Sequence, residues 1–130
     1  YGYYGYGNVN SSINAKSDVA ISGRLKYAVY LGGSEDTTIE NKLSIASGKN
    51  ILLSSGSDYA VSLFCKKAEN NIKLKLIAGN NISIVAGGYG IYAVRNLGCR
   101  LKGTVIMAGE KVFLCGNIQI LGQGCHISIR

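Results

Sequence analysis

Apolar and polar residues alternate in short bursts along this chain, and three kinds of burst return in a fixed order. Asp18-Val19-Ala20-Ile21, Asn50-Ile51-Leu52-Leu53, Asn81-Ile82-Ser83-Ile84 and Lys111-Val112-Phe113-Leu114 place their first apolar residues 32, 31 and 30 positions apart. Each is preceded by a second kind: Ser11-Ser12-Ile13, Leu43-Ser44-Ile45, Leu74-Lys75-Leu76 or Thr104-Val105-Ile106. Each is followed by a third: Tyr27-Ala28-Val29, Tyr59-Ala60-Val61, Tyr92-Ala93-Val94, and a degenerate Cys125-His126-Ile127. Period-two alternation over such short runs predicts strands with one buried side.

With the three kinds labelled c, a and b in chain order, the c strands are expected at 9–15, 39–46, 72–78 and 101–107, and the a strands at 18–22, 50–54, 81–86 and 111–115. The b strands are expected at 26–31, 58–63, 91–97 and 125–129, with an extra short strand at 117–121. Alternation sends Val19 with Ile21, Ile51 with Leu53, Ile82 with Ile84, Val112 with Leu114, Leu43 with Ile45 and Leu74 with Leu76 inward. Continued through the b strands, it also buries Tyr27, Val29 and Leu31, then Tyr59, Val61 and Leu63, then Tyr92 and Val94, so the tyrosines read as a buried ladder.

Three one-sided strands in a period of about 31 residues, repeated about four times, bury their apolar sides together if the chain winds so that each strand pairs with its equivalent one turn away. The expected fold is therefore all-β, a single-chain parallel β-helix occupying residues 9–130. A β-sandwich of the same strands leaves the recurrence of turn residues in register unexplained. Gly48, Gly79 and Gly109 before the a strands, and Gly23, Gly56, Gly87 and Gly116 after them, mark turns that tolerate positive φ. Asn50 over Asn81 predicts the start of an asparagine ladder. Residues 1–8, Tyr-Gly-Tyr-Tyr-Gly-Tyr-Gly-Asn, fall outside the repeat and read as a flexible arm.

Composition narrows the function. Eighteen Gly with no Pro and no Trp suit tight turns between short strands, and no apolar run is long enough to span a membrane as a helix. A formal net charge of +7 favours polyanionic partners. The absence of an initiating Met at Tyr1 fits a processed product or a piece of a longer chain. Cys65 and Cys99 occupy nearly equivalent places in successive repeats, so stacking at about 4.8 Å would bring them within disulfide range, or leave two stacked thiols.

The runs Ser-Gly-Lys-Asn-Ile-Leu-Leu-Ser-Ser-Gly at 47–56, Ala-Gly-Asn-Asn-Ile-Ser-Ile-Val-Ala-Gly-Gly at 78–88 and Gly-Ile-Tyr-Ala-Val at 90–94 resemble the repeats of right-handed parallel β-helix proteins of bacterial surfaces, the haemagglutinin-repeat adhesins and related solenoids. That resemblance implies an exported, extracellular or cell-surface protein with a structural or adhesive role and no enzymatic activity.

Candidate chemistry is sparse. Glu35, Asp36 and Glu40 share one loop and its exit, Asp18, Asp58 and Glu110 are turn residues, and no calcium-loop spacing is present. No CxxC occurs, and the single histidine, His126, adjoins Cys125 on a strand, where neighbours point to opposite sides. No catalytic, metal or cofactor site is expected. The basic residues are better organised: Lys42, Lys73 and Lys75, followed by Arg100 and Lys102, take outward positions on the c strands and form a positive stripe suited to an acidic polysaccharide. Nucleic acid is disfavoured, because no aromatic residues interleave with that stripe. Self-association into filaments is the principal expectation: Tyr1, Tyr3, Tyr4 and Tyr6 on the arm, the outward Leu52 and Phe113, and Ile127 and Ile129 at the C-terminal coil would stick copies together, with coil ends stacking head to tail.

Overall fold

The computed structural model describes all residues except 34–39, 57–58, 66–70, 96–103, 109–110, 122–126 and 130; for Cys65, Asn71, Gly88, Tyr89 and every residue from 93 onward, the description is of backbone alone. The chain is a parallel β-solenoid. Each strand hydrogen-bonds to its equivalent in the neighbouring coil, so backbone polarity is satisfied between coils rather than within them.

The c strands are β2 (Val9–Ala15), β5 (Glu40–Ser47), β8 (Asn71–Ala78), β10 (Thr104–Ala108) and β12 (Ile127–Ile129), and they form a five-stranded parallel sheet in coil order. The a strands β3 (Val19–Gly23) and β6 (Ile51–Ser55) and the b strands β1 (Tyr3–Tyr6), β4 (Val29–Gly32) and β7 (Tyr59–Cys65) belong to one larger parallel sheet. That sheet is joined through β9 (Asn81–Arg95) and β11 (Lys111–Leu121), each of which runs along the a and then the b position.

The core lies between the sheets and is built from the predicted inward residues. Leu43, Ile45, Leu74 and Leu76 from the c side meet Ile51, Leu53, Ile82 and Ile84 from the a side and Val29, Leu31, Val61 and Leu63 from the b side, all fully or almost fully buried. At the c-to-a corner, the backbone N–H and the amide of Asn50 both donate to Asp18 Oδ1 (3.1 and 2.9 Å), and those of Asn81 to Asn50 Oδ1 (both 3.2 Å). The anticipated ladder therefore spans three coils and starts on an aspartate.

Several expectations are corrected. The tyrosines do not point inward. Ala28 and Val29 are both fully buried, as are Ala60 and Val61, so the alternation breaks at each alanine and Tyr27 and Tyr59 swing to the outside, where they are partly buried among other rings. The third copy of the tyrosine word is Tyr89-Gly90-Ile91, not Tyr92-Ala93-Val94, because Tyr59 pairs with Tyr89 and Val61 with Ile91. The identical letters at 92–94 lie three residues past that position, and the connection from the a position to the b position is one residue shorter in this coil than in the two before it.

A larger shortening, with register shifts around Asn117, moves the last coil. Ile118 pairs with Ile91 and Leu121 with Val94, so 117–121 is the b strand of the fourth coil, while 127–129 pairs with β10 and begins a further c row. Residues 3–6 are not a free arm but the b strand β1, paired with β4 from Tyr3 opposite Val29 to Tyr6 opposite Gly32. Among the described residues only Gly7 has positive φ. The turn glycines serve close approach instead: a Cβ on Gly48 would stand 2.1 Å from Lys16 O and one on Gly79 2.2 Å from Gly48 O, so successive turns nest only without side chains.

Candidate functional site: a tyrosine face

Corrected register turns the tyrosine word into a four-residue motif. Tyr1-Gly2-Tyr3-Tyr4, Tyr27-Ala28-Val29-Tyr30, Tyr59-Ala60-Val61-Ser62 and Tyr89-Gly90-Ile91-Tyr92 stack in four successive coils. The second residue is small because it sits at a tight corner: Ala28, Ala60 and Gly90 are buried there, and a Cβ on the exposed Gly2 would lie 2.5 Å from Ile21 Cγ2 and 2.8 Å from Ala28 O. The third is the inward anchor. The first and fourth positions form two columns in register, Tyr1/Tyr27/Tyr59/Tyr89 and Tyr4/Tyr30/Ser62/Tyr92; Tyr1 and Tyr4 are exposed, Tyr27, Tyr30, Tyr59 and Tyr92 are partly buried, and Ser62 is nearly covered. Seven of the eight positions are tyrosine, and Ser62 is the exception.

The rings form a continuous aromatic surface. Tyr6 stacks on Tyr4 (6.1 Å between ring centroids, 3° between planes), Tyr4 on Tyr30 (5.0 Å, 14°), Tyr30 neighbours Tyr27 (5.9 Å, 20°), and Tyr27 stacks with Tyr59 (5.4 Å, 24°). Tyr1 meets Tyr27 and Tyr30 edge-on. Above Ser62, where the second column lacks a ring, Tyr59 and Tyr92 lie almost face to face at 4.4 Å and 2°. The space left over is a cleft of about 240 Å³ lined by Tyr27, Tyr30, Tyr59, Ser62, Phe64 and Tyr92.

Gly32 positions one wall of this cleft. A Cβ there would sit 2.4 Å from the Tyr30 hydroxyl, so the Tyr30 phenol lies across the glycine. Burial, and then the neighbouring phenols of Tyr4, Tyr1, Tyr6 and Tyr27, push the Tyr30 hydroxyl up to about 12 from its ordinary 10.0. Burial also raises Tyr27, with Tyr1, Tyr59 and Tyr92 adding to it. The Tyr30 and Tyr27 phenols thus keep their protons further into alkaline pH than an ordinary tyrosine.

Behind the tyrosine face, Asn41 sits fully buried at the inward parity of β5. Its Nδ2 donates to Gly5 O (2.9 Å) and Gly32 O (3.1 Å), tying the ends of β1 and β4 to the start of the c sheet, while its Oδ1 has no partner among the described residues. The sequence signal for it was an asparagine two residues ahead of Leu43 on an alternating strand.

The predicted stripe lies on the separate c face. Lys42 and Lys73 are direct cross-strand neighbours, half-exposed, and Lys75 is exposed opposite Ser44; Lys42 Nζ is 3.8 Å from Glu40 Oε1. Arg100 and Lys102 lie outside the described residues. Of the residues expected to self-associate, Tyr1, Tyr4 and Tyr6 are about half exposed, Tyr3 packs against the core, and Leu52 is exposed. Phe113 stands opposite Ser83 on β11, and Ile127 and Ile129 opposite Thr104 and Ile106 on β12. Cys65 stands opposite Arg95 at the end of β7, and Cys99 lies outside the described residues.

A broader groove of about 510 Å³ runs past Asn14, Lys16, Ala46, Ser47 and Ile77, walled mostly by aliphatic side chains and turn backbone. Among the described residues no three His, Cys, Asp or Glu side chains converge as a metal site would require, and no helix is long and apolar enough to cross a membrane. No family model, curated protein or solved structure matches this chain.

Proposed function

We propose that this chain is a non-enzymatic β-solenoid module of an extracellular or cell-surface protein, and that it adheres to polysaccharide through its tyrosine face. The observation that carries this reading is the two-column stack, in which the rings of Tyr1, Tyr4, Tyr27, Tyr30, Tyr59 and Tyr92 share one surface. Tyrosines are amphipathic, offering ring carbon to C–H surfaces and hydroxyls to polar groups, and a rigid ladder loses little entropy when a polymer lies along it. Retention of the protein on insoluble polysaccharide tests the proposal. The combined Tyr27→Leu, Tyr30→Leu and Tyr59→Leu variant is expected to lose retention while Lys42→Ala with Lys73→Ala and Lys75→Ala keeps it. The reverse pattern would transfer the function to the basic stripe and to acidic polymers.

A second reading is favoured by the exposure of Tyr1, Tyr4 and Tyr6, each about half open at one end of the stack. Copies of the chain would associate through these rings into a surface fibre, and sedimentation that depends on concentration and disappears with Tyr4→Ser and Tyr6→Ser would select it.

A further inference from the structure

We infer that the cleft over Ser62 is a subsite for one uncharged pyranose ring of that polysaccharide, an inference that rests on the adhesive reading above and specifies its ligand. The cleft exists because one coil departs from the motif. Tyrosine occupies the fourth motif position at Tyr4, Tyr30 and Tyr92, and serine replaces it only at Ser62, directly between Tyr30 and Tyr92 in the register. Two coil spacings of about 4.8 Å separate those neighbours, and Ser62 forms the nearly buried floor between them, 4% exposed, so a single ring would lie over the serine.

Size and lining select the occupant. At about 240 Å³ the cleft is smaller than the roughly 300 Å³ at which sites for drug-sized molecules begin, so it takes one ring and not a peptide side of several residues. Its lining of Tyr27, Tyr30, Tyr59, Ser62, Phe64 and Tyr92 carries no ionisable group except neutral phenols. A carboxylated or sulfated sugar would lose water there without gaining a counter-charge. A purely aromatic ligand would match the rings alone and offer nothing to the hydroxyls that line the cleft. A pyranose has both an axial C–H surface for the rings and equatorial hydroxyls for the phenols. In the fourth coil the positions above Tyr89 and Tyr92 are held by Asn117 and Gln119, so the backbone places two amide residues at the upper margin of the same columns.

With no Trp in the chain, its emission comes from nine tyrosines, four of which line the cleft. The test is titration of the whole chain with hexasaccharides of β-linked glucose, α-linked glucose and N-acetylglucosamine, with hexagalacturonate as the charged comparison. At least one neutral hexasaccharide is expected to bind, and Ser62→Tyr, which completes the column, to weaken that binding at least tenfold with the melting temperature held. Tyr92→Ser, which removes a wall instead of filling the space, is expected to weaken it by a similar factor and guards against a Ser62→Tyr chain that does not fold. Preference for hexagalacturonate, failure of every neutral hexasaccharide at millimolar concentration, or undiminished binding by folded Ser62→Tyr each overturns the inference. So does loss of an oligomer, rather than of a sugar complex, in Ser62→Tyr, which would assign the cleft to a second copy. If Ser62→Tyr still binds while the triple leucine variant does not, the adhesive face stands and only the subsite fails; if the triple variant also binds, the face itself fails.

Discussion

The tyrosine face and the lysine face are made by the same device, identical side chains stacked one coil apart, and the outcome is opposite. Stacked phenols attract, exclude water from one another and join into one surface running from Tyr6 to Tyr92. Stacked ammonium groups repel: Lys42 and Lys73 are direct neighbours, and Lys42 turns toward Glu40 at 3.8 Å. A parallel solenoid therefore amplifies whatever side chain its repeat carries. Aromatic columns come out as cohesive platforms, and cationic ones as solvated surfaces that tolerate interruption.

Both faces depend on one core, and the largest expected effects come from breaking it. Leu31→Ala beneath the tyrosines and Leu43→Ala beneath the lysines remove fully buried side chains, and each is expected to lower stability by about 3 kcal/mol in urea unfolding. Equal losses would show one cooperative core; a loss confined to one variant would split the faces into separate units. Asn41→Ala comes next, because it removes the buried side-chain donor to the carbonyls of Gly5 and Gly32, the latter keeping the Gly7 N–H. The expected cost is about 2 kcal/mol, together with weaker sugar retention if the b face is aligned from this corner.

How much of this was legible in the sequence follows the same division. The a and c strands could be read residue by residue, because Ile51, Leu53, Leu74 and Leu76 alternate without interruption and recur in register. The tyrosine face could not, for two physical reasons. Ala28 and Ala60 are small enough to be buried beside Val29 and Val61, so two consecutive inward residues reverse the parity of everything before them. The letters Tyr-Ala-Val also recur at 92–94, three residues past the register position that Tyr89-Gly90-Ile91 occupies, so the repeated word marks the wrong register in the third coil. Glycine in place of alanine hid that copy, and tyrosine in place of valine hid the first one at Tyr1-Gly2-Tyr3-Tyr4. The cleft at Ser62 was invisible until all four copies stood in register.

Removing one stacked ring is a smaller perturbation than opening the core. Tyr59 contacts Tyr27 on one side and Tyr92 on the other, so Tyr59→Leu is expected to cost about 1 kcal/mol beyond its change in buried area. A double-mutant cycle with Tyr92→Leu measures the coupling directly. A pH effect accompanies the stack. The Tyr30 hydroxyl titrates near 12 in the folded chain against 10.0 when unfolded, so between those values the unfolded state has released a proton that the folded state retains. Stability from this group is whole below pH 10 and falls as pH rises from 10 toward 12. The difference between wild type and Tyr30→Phe in urea midpoint, followed from pH 9 to 11.5, isolates that slope, and parallel curves would remove the phenol from the account.

The smallest effect sharpens the comparison from the other side. Lys73 stands across from Lys42 on the neighbouring strand, and both keep part of their side chain in solvent. Like charges directly opposite on adjacent strands destabilise by a few tenths of a kcal/mol, within the range of about 0.2–1 kcal/mol for cross-strand pairs. Lys73→Gln is therefore expected to stabilise the chain slightly at low salt, where Tyr59→Leu destabilises it. Because exposed charges are screened over about 8 Å at physiological ionic strength and about 3 Å at 1 M, the gain should vanish in 1 M NaCl, whereas the loss at Tyr59, which is packing between neutral rings, should persist. A Lys73→Gln gain that survives high salt would mean that the lysine column is strained by packing, and the contrast between a cohesive aromatic column and a merely tolerated cationic one would no longer rest on charge.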